Sequence, residues 1–317
     1  MNWRKVQHGI EYSFGRADFF ASVNGIDRLC GTQADVVPKS GRKVLASIVL
    51  YVSAPCIVFD SFQIEYSSEK LFGLVVGFAA ACIALAVFIW AASVCKKIFH
   101  LSASEQTSVT YANTGNMIIP LVNNILGSEY VLYTSPYNCT QTALLWIHAY
   151  NLITGNKNVQ LKKILLNPNI IAMVAGLIFF LLGIQLPGPL HHTVTQLGSL
   201  IGPLSMLNVG FIMAEENLLD VFKGRKIWLV TILRLIILPM IMIFCVRLTG
   251  ITFRFPQTKS VLLISLLAAA APTASSIAQF AEIADNDAVP AGKINILSTL
   301  CCIITMPVVI MIYQVLC

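Results

Sequence analysis

The chain has 317 residues, of which 56% are hydrophobic and only 11% charged, against about 25% charged in an average soluble domain. That excludes a water-soluble globular enzyme and reads as one integral membrane domain. The formal charge of +6 does not describe a nucleic-acid face, because the Lys and Arg residues sit in short loops between apolar spans.

Residues 1–41 form a polar arm containing Glu11, Arg16, Asp18, Asp27 and Arg28, with no apolar run near the roughly 20 residues that a membrane helix needs. They also lack the basic start and apolar core of a signal peptide. Nine spans follow: Val44–Phe62, Leu71–Val94, 107–127, Tyr130–Leu152, Asn169–Leu186, Leu197–Ala214, Ile227–Val246, 260–282 and Ile294–Leu316. Helices satisfy their own backbone in lipid, so the fold class is an all-α integral membrane protein. Eight of the nine cysteines fall in or at the ends of these spans and Cys30 lies in the arm. No CxxC spacing supports a zinc or dithiol site.

Two spans are unlike the others. The first, 107–127, carries Asn113, Thr114, Gly115, Asn116 and Pro120; the second, 260–282, carries Pro272, Thr273, Ser275 and Ser276. Gly and Pro interrupt a helix, and lipid tolerates an interruption only where protein or a water-filled cavity satisfies the freed backbone. Interrupted helices at corresponding places in two halves point to a transporter's binding site. The halves are 42–153, with four spans, and 154–317, with five. Matched spans run in opposite directions, which makes the repeat inverted.

Lys39, Arg42, Lys43, Lys96, Lys97, Lys157, Lys162, Lys163, Lys223, Arg225, Lys226 and Lys293 fall on one side; Lys70, Arg247, Arg254 and Lys259 fall on the other. The bias predicts a cytoplasmic N-terminal arm and an external C-terminus, in the plasma membrane.

The two polar clusters are expected to line the substrate site. Unpaired N–H groups at a half-helix start attract anions, and amides and hydroxyls suit a carboxylate. Asn138 and Gln141, three apart on one helical face, are expected to complete it. Arg234, about seven residues into its span, is either a counter-charge for the anion or a snorkelling side chain. Asp60, Glu215, Glu216, Glu282 and Asp285 at span ends are candidates for binding a coupling H⁺ or Na⁺. His148 reads as a packed or interfacial histidine, and His191-His192 as an outer loop with no metal-binding pattern. No cofactor and no metal are expected. An enzyme is disfavoured, since there is no G-x-S-x-G, no H-E-x-x-H and no intramembrane Asp pair.

The runs SGRKVLASIVLYVSAPCIVF, ANTGNMIIP, KKILLNPNIIAMVAGLIFF, RLIILP and AAAAPTASSIAQFAE resemble the auxin efflux carrier family, from about Asp35 to the C-terminus. That family includes plant auxin carriers and bacterial permeases associated with malate or malonate. The resemblance implies ten spans in two inverted five-helix repeats, with the fourth and ninth helices, here 107–127 and 260–282, crossing at their breaks. Two departures stand out. Residues 1–34 occupy the place of the family's first helix, which reads as a genuine arm, a displaced gene start or a degenerate paralogue. Ile118 replaces a glycine of the family's N-x-G-x-x-G-x-P pattern. The expected function is secondary transport of small organic anions by alternating access, with the bilayer as the other partner and a homodimer left open. The alternatives are a non-transporting membrane protein and a channel.

Overall fold

A computed structural model describes residues 44, 47–155, 162, 165–201, 203–204, 221–255, 258–284 and 287–317. The polar arm, Glu215, Glu216, Asp285 and most of the expected span Leu197–Ala214 lie outside these residues. The main helices are α1 (Ala54–Asp60), α2 (Ser68–Phe99), α3 (Ala103–Thr110), α4 (Ile119–Ile125), α5 (Ser135–Leu144), α6 (Tyr150–Thr154), α7 (Pro168–Leu182), α8 (Gly188–Ser199), α9 (Arg225–Thr249), α10 (Thr258–Ala269), α11 (Ser275–Ile283) and α12 (Ala288–Leu316). Among the described residues the only extended pairing is one isolated antiparallel bridge, Ala112 with Thr273. The protein is an all-α, multi-pass membrane protein.

Among the described residues three helices, α2, α9 and α12, are long and apolar enough to cross a bilayer. The other expected spans are shorter or broken. Side chains such as Ile83, Ile304 and Val315 are 62%, 73% and 84% exposed, a cost in water but none in hydrocarbon.

Among the described residues four π-helical turns interrupt the helices: Val49–Ser53, Thr114–Ile118, Leu145–Ala149 and Leu233–Ile237. Three have an evident cause. Pro55, Pro120 and Pro239 follow immediately, each in the first turn of the next α-helical segment. Proline lacks the N–H and its ring crowds the carbonyl four residues back. The ladder upstream shifts to bonds spanning five residues, as in Leu238 N–H to Leu233 O. Each such turn inserts one residue and re-aims the side chains beside it. Pro120 is therefore not the break in the first interrupted helix. The break lies earlier, at Tyr111–Asn113.

The chain divides into two compact units. The first comprises the described parts of Met1–Tyr66, Gly115–Leu132 and Pro168–Asn217; the second comprises Ser67–Thr114, Tyr133–Asn167 and Leu218–Cys317. Each unit draws on both halves of the sequence.

In the first unit α1 packs against α7 and α8. Phe59 and Phe62 meet Phe179 and Phe180 edge-on, with centroids 5.3 and 6.5 Å apart. At Gly198 a Cβ would come 3.0 Å from the Ile57 backbone nitrogen, so any larger residue would push α8 and α1 apart by a few tenths of an ångström. Asp60 Oδ1 pairs with His191 Nε2 at 3.0 Å and accepts from Thr195 Oγ1 at 2.9 Å. The histidine pair is thus helical, contrary to the expected outer loop. The helix begins at Gly188 rather than Leu197, because Pro189 occupies its first turn, where proline is favoured.

In the second unit α2 and α9 run in opposite directions. Lys226 Nζ donates to His100 O at 2.9 Å at one end, and Phe72 meets Phe255 with centroids 6.0 Å apart at the other. At Gly73 a Cβ would lie 2.6 Å from the Tyr133 ring, so α2 presents bare backbone to the chain entering α5. The half-helix α3 starts four residues before the expected Thr107. Its start is a capping box: Ser102 Oγ accepts from Glu105 N at 3.2 Å, and Glu105 Oε2 accepts from Ser102 N at 2.9 Å. S-x-x-E is a helix-start signature, and it places the start ahead of the expected span. Every residue of α3 from Ser104 to Thr110 is buried, although most are polar. Thr107 and Thr110 satisfy their hydroxyls on Ala103 O and Gln106 O, and Gln106 donates to Ser93 Oγ.

Candidate functional site: two paired helix breaks

The site forms where two helices stop. Helix α3 ends at Thr110 and the chain runs extended through Tyr111, Ala112 and Asn113; α10 ends at Ala269 and the chain reaches α11 at Ser275. These two short stretches lie antiparallel. Asn113 N donates to Pro272 O at 2.7 Å, and Ala274 N to Tyr111 O at 3.0 Å. Ala112 and Thr273 are thus a non-hydrogen-bonded pair, whose own N–H and C=O groups point away from the bridge. Buried away from water, such groups must find partners.

They find them in side chains of two other helices. Gln141 of α5 grips Ala112 twice: Oε1 accepts its N–H at 3.0 Å and Nε2 donates to its carbonyl at 2.7 Å. The same Nε2 donates to Thr114 Oγ1 at 3.1 Å, and Thr114 Oγ1 donates to Asn138 Oδ1 at 3.0 Å. On the other break, α12 does the same with two residues. Asn295 Nδ2 donates to Thr273 O at 2.6 Å, and Ser298 Oγ accepts Thr273 N–H at 3.1 Å. Each brace uses side chains three apart, which share a helix face.

The half-helix ends are also accounted for. Thr107 O accepts Tyr111 N–H at 2.9 Å, and Ser108 O accepts Thr273 Oγ1 at 3.1 Å. Val109 O and Thr110 O both accept from Arg234 Nη1, at 3.3 and 3.0 Å, and Ala271 O accepts from Arg234 Nε at 3.1 Å. Arg234 is 0% exposed and lies in the π-turn ahead of Pro239. It does not snorkel. Phe88 lies beneath the guanidinium, 5.8 Å from Cζ to ring centroid, and the Tyr137 hydroxyl is its neighbour. The Tyr137 hydroxyl and the Arg234 guanidinium are each other's polar side-chain neighbours.

Past the second break, Tyr111, Leu145, Ala149, Ala274, Ile277 and Phe280 form one buried cluster. Trp146, Tyr150 and Phe280 ring it, with centroids 5.0–5.5 Å apart. His148 Nδ1 is 3.0 Å from Tyr111 Oη, as befits a packed histidine.

Of the residues singled out from sequence, Asn113, Thr114, Asn138, Gln141, Arg234, Pro272 and Thr273 come together here. Thr114, Gln141 and Thr273 are buried and committed to the framework, so Gln141 is a brace. Asn113, Ser275 and Ser276 are partly exposed. Gly115 follows in the π-turn, and Pro120 begins α4; both belong, with Asn116, to the first unit's stretch Gly115–Leu132. The sequence reading missed Asn295 and Ser298. The signal is their spacing: Asn295 and Ser298 stand three apart on α12, as Asn138 and Gln141 do on α5.

A family model described as membrane transport protein matches residues 29–160 and again 156–310. The chain belongs to the auxin efflux carrier family. Members of this family are membrane transporters, and the two matches together take in both breaks and all four bracing side chains. No curated protein matches the chain.

Proposed function

We propose that this auxin efflux carrier family member is a secondary carrier of small organic anions, carboxylates in particular, working by alternating access. The observation that carries the reading is the pair of breaks in the second unit. Thr114 and Thr273 shape it, and Asn113, Pro272, Ser275 and Ser276 stand around it. The first turn of α11 carries the hydroxyls of Ser275 and Ser276 at the positive end of the helix dipole, a combination that favours an anion. An amide at Asn113 adds hydrogen bonding without a buried countercharge. The end of the second unit that gathers Lys96, Lys97, Arg225 and Lys226 faces the cytoplasm in this reading, and the membrane is the plasma membrane.

The test is a thermal-shift panel of mono- and dicarboxylates on the purified full chain, repeated with Asn113→Leu. A stabilising carboxylate that loses its effect in the variant supports the site. A panel with no stabilising member, on folded protein, removes the carboxylate reading and favours a non-transporting relative or a channel.

A further inference from the structure

Arg234 carries a positive charge into a fully buried position, and among the described residues no carboxylate forms an ion pair with it. A charge so placed is costly unless it is balanced. The balance here comes from backbone. Helices α3 and α10 both end against its guanidinium, and a helix C-terminus is equivalent to roughly half a negative charge. Two such ends make about one unit, which matches the arginine. The contacts fit this arithmetic, since Nη1 takes the last carbonyls of α3 and Nε takes Ala271 O just past α10. A planar fork spanning two helix ends is within arginine's reach and beyond that of a lysine.

We infer that Arg234 is the positioning residue that locks the two breaks in register, with its charge spent on the half-helix ends rather than on a transported anion. The π-turn Leu233–Ile237 aims the side chain, and Phe88 and Tyr137 hold the guanidinium from the sides. The rival assignment, a countercharge for substrate, finds the guanidinium already engaged by three backbone carbonyls and the Tyr137 hydroxyl.

The experiment reads the register directly. Ala112→Cys and Thr273→Cys are introduced together into the full chain in membranes, and the crosslinked peptide formed on oxidation is quantified by mass spectrometry. A non-hydrogen-bonded antiparallel pair holds its Cα atoms about 4.5 Å apart, within disulfide range. With Arg234 present the crosslink forms readily. Arg234→Gln is expected to slow it by about tenfold, the ratio set by losing hydrogen bonds to a charged group. Arg234→Lys, which keeps the charge but not the fork, is expected to fall between. An unchanged crosslinking rate in Arg234→Gln overturns the inference. If that variant does not fold, Arg234→Lys decides alone, and a native rate there overturns the inference equally. Malonate is the binding probe in parallel: loss of its thermal shift with crosslinking intact would assign the charge to the anion instead. The crosslink needs no substrate, so silence in the malonate arm counts against the proposed function and not against the lock.

Discussion

Replacing Gln141 with leucine tests the framework of the site at its most heavily used side chain. The change keeps the volume close to that of glutamine and removes three hydrogen bonds: two to the Ala112 backbone and one to Thr114 Oγ1. Ala112 is 1% exposed, so no water replaces them. Each orphaned buried backbone group costs about 1–3 kcal/mol, which gives roughly 2–6 kcal/mol for the pair. Burying leucine in place of an amide returns about 1 kcal/mol. The net loss of roughly 1–5 kcal/mol should lower the unfolding temperature in detergent by roughly 2–20 °C, given about 2–4 °C per kcal/mol for a unit of this size. Hydrogen exchange should show the Ala112 amide losing protection while amides in α2 keep theirs. A shift below about 2 °C, with the Ala112 amide still protected, would refute the claim that a side chain holds this break.

Four further outcomes follow from the same geometry. Ser298→Ala leaves the Thr273 N–H without its acceptor and should cost about 1–3 kcal/mol, read as a smaller melting shift than Gln141→Leu. Ser102→Ala removes one half of the capping box on α3 and should cost about 0.5–2 kcal/mol by denaturation of the purified protein. Gly198→Leu drives a side chain into the Ile57 backbone and should destabilise by about 1–3 kcal/mol or more, seen as loss of folded protein on size exclusion. Ile304→Lys puts a charge on a lipid-facing position of α12 and should cost about 2.5–3.5 kcal/mol at the bilayer centre, read in an insertion assay; neutrality there would contradict a lipid-facing surface.

The membrane class and the two interruptions were legible because composition and proline placement act locally. Both breaks were found, but the first was set a few residues too late. The eye goes to Gly115 and Pro120, while the backbone opens at Tyr111–Asn113 and absorbs Pro120 through a π-turn. The start of α3 falls before the expected Thr107 for the same kind of reason. Ser102 and Glu105 announce a helix, yet a stretch of serine, glutamate, glutamine and threonine does not look like one that will be buried. Arg234 could be seen to be intramembrane, but not which way it would face: its partners are carbonyls about 125 and 37 residues away in sequence, and a carbonyl leaves no trace in residue type. Asp60 and His191 were each noticed, and their pairing was not, since nothing local joins a residue of α1 to one of α8.

The π-turn that carries Arg234 has a consequence for how the gene can change. A π-turn is equivalent to a single-codon insertion in an α-helix, so deleting any one residue among Leu233–Ile237 would restore the ordinary ladder and turn everything on one side of it by about 100° relative to the other. A relative lacking Pro239 would have no need of the extra residue, and its aligned sequence should show a one-position gap here together with a different residue in place of the arginine. Loss of the proline, the gap and the charge should therefore travel together through descent.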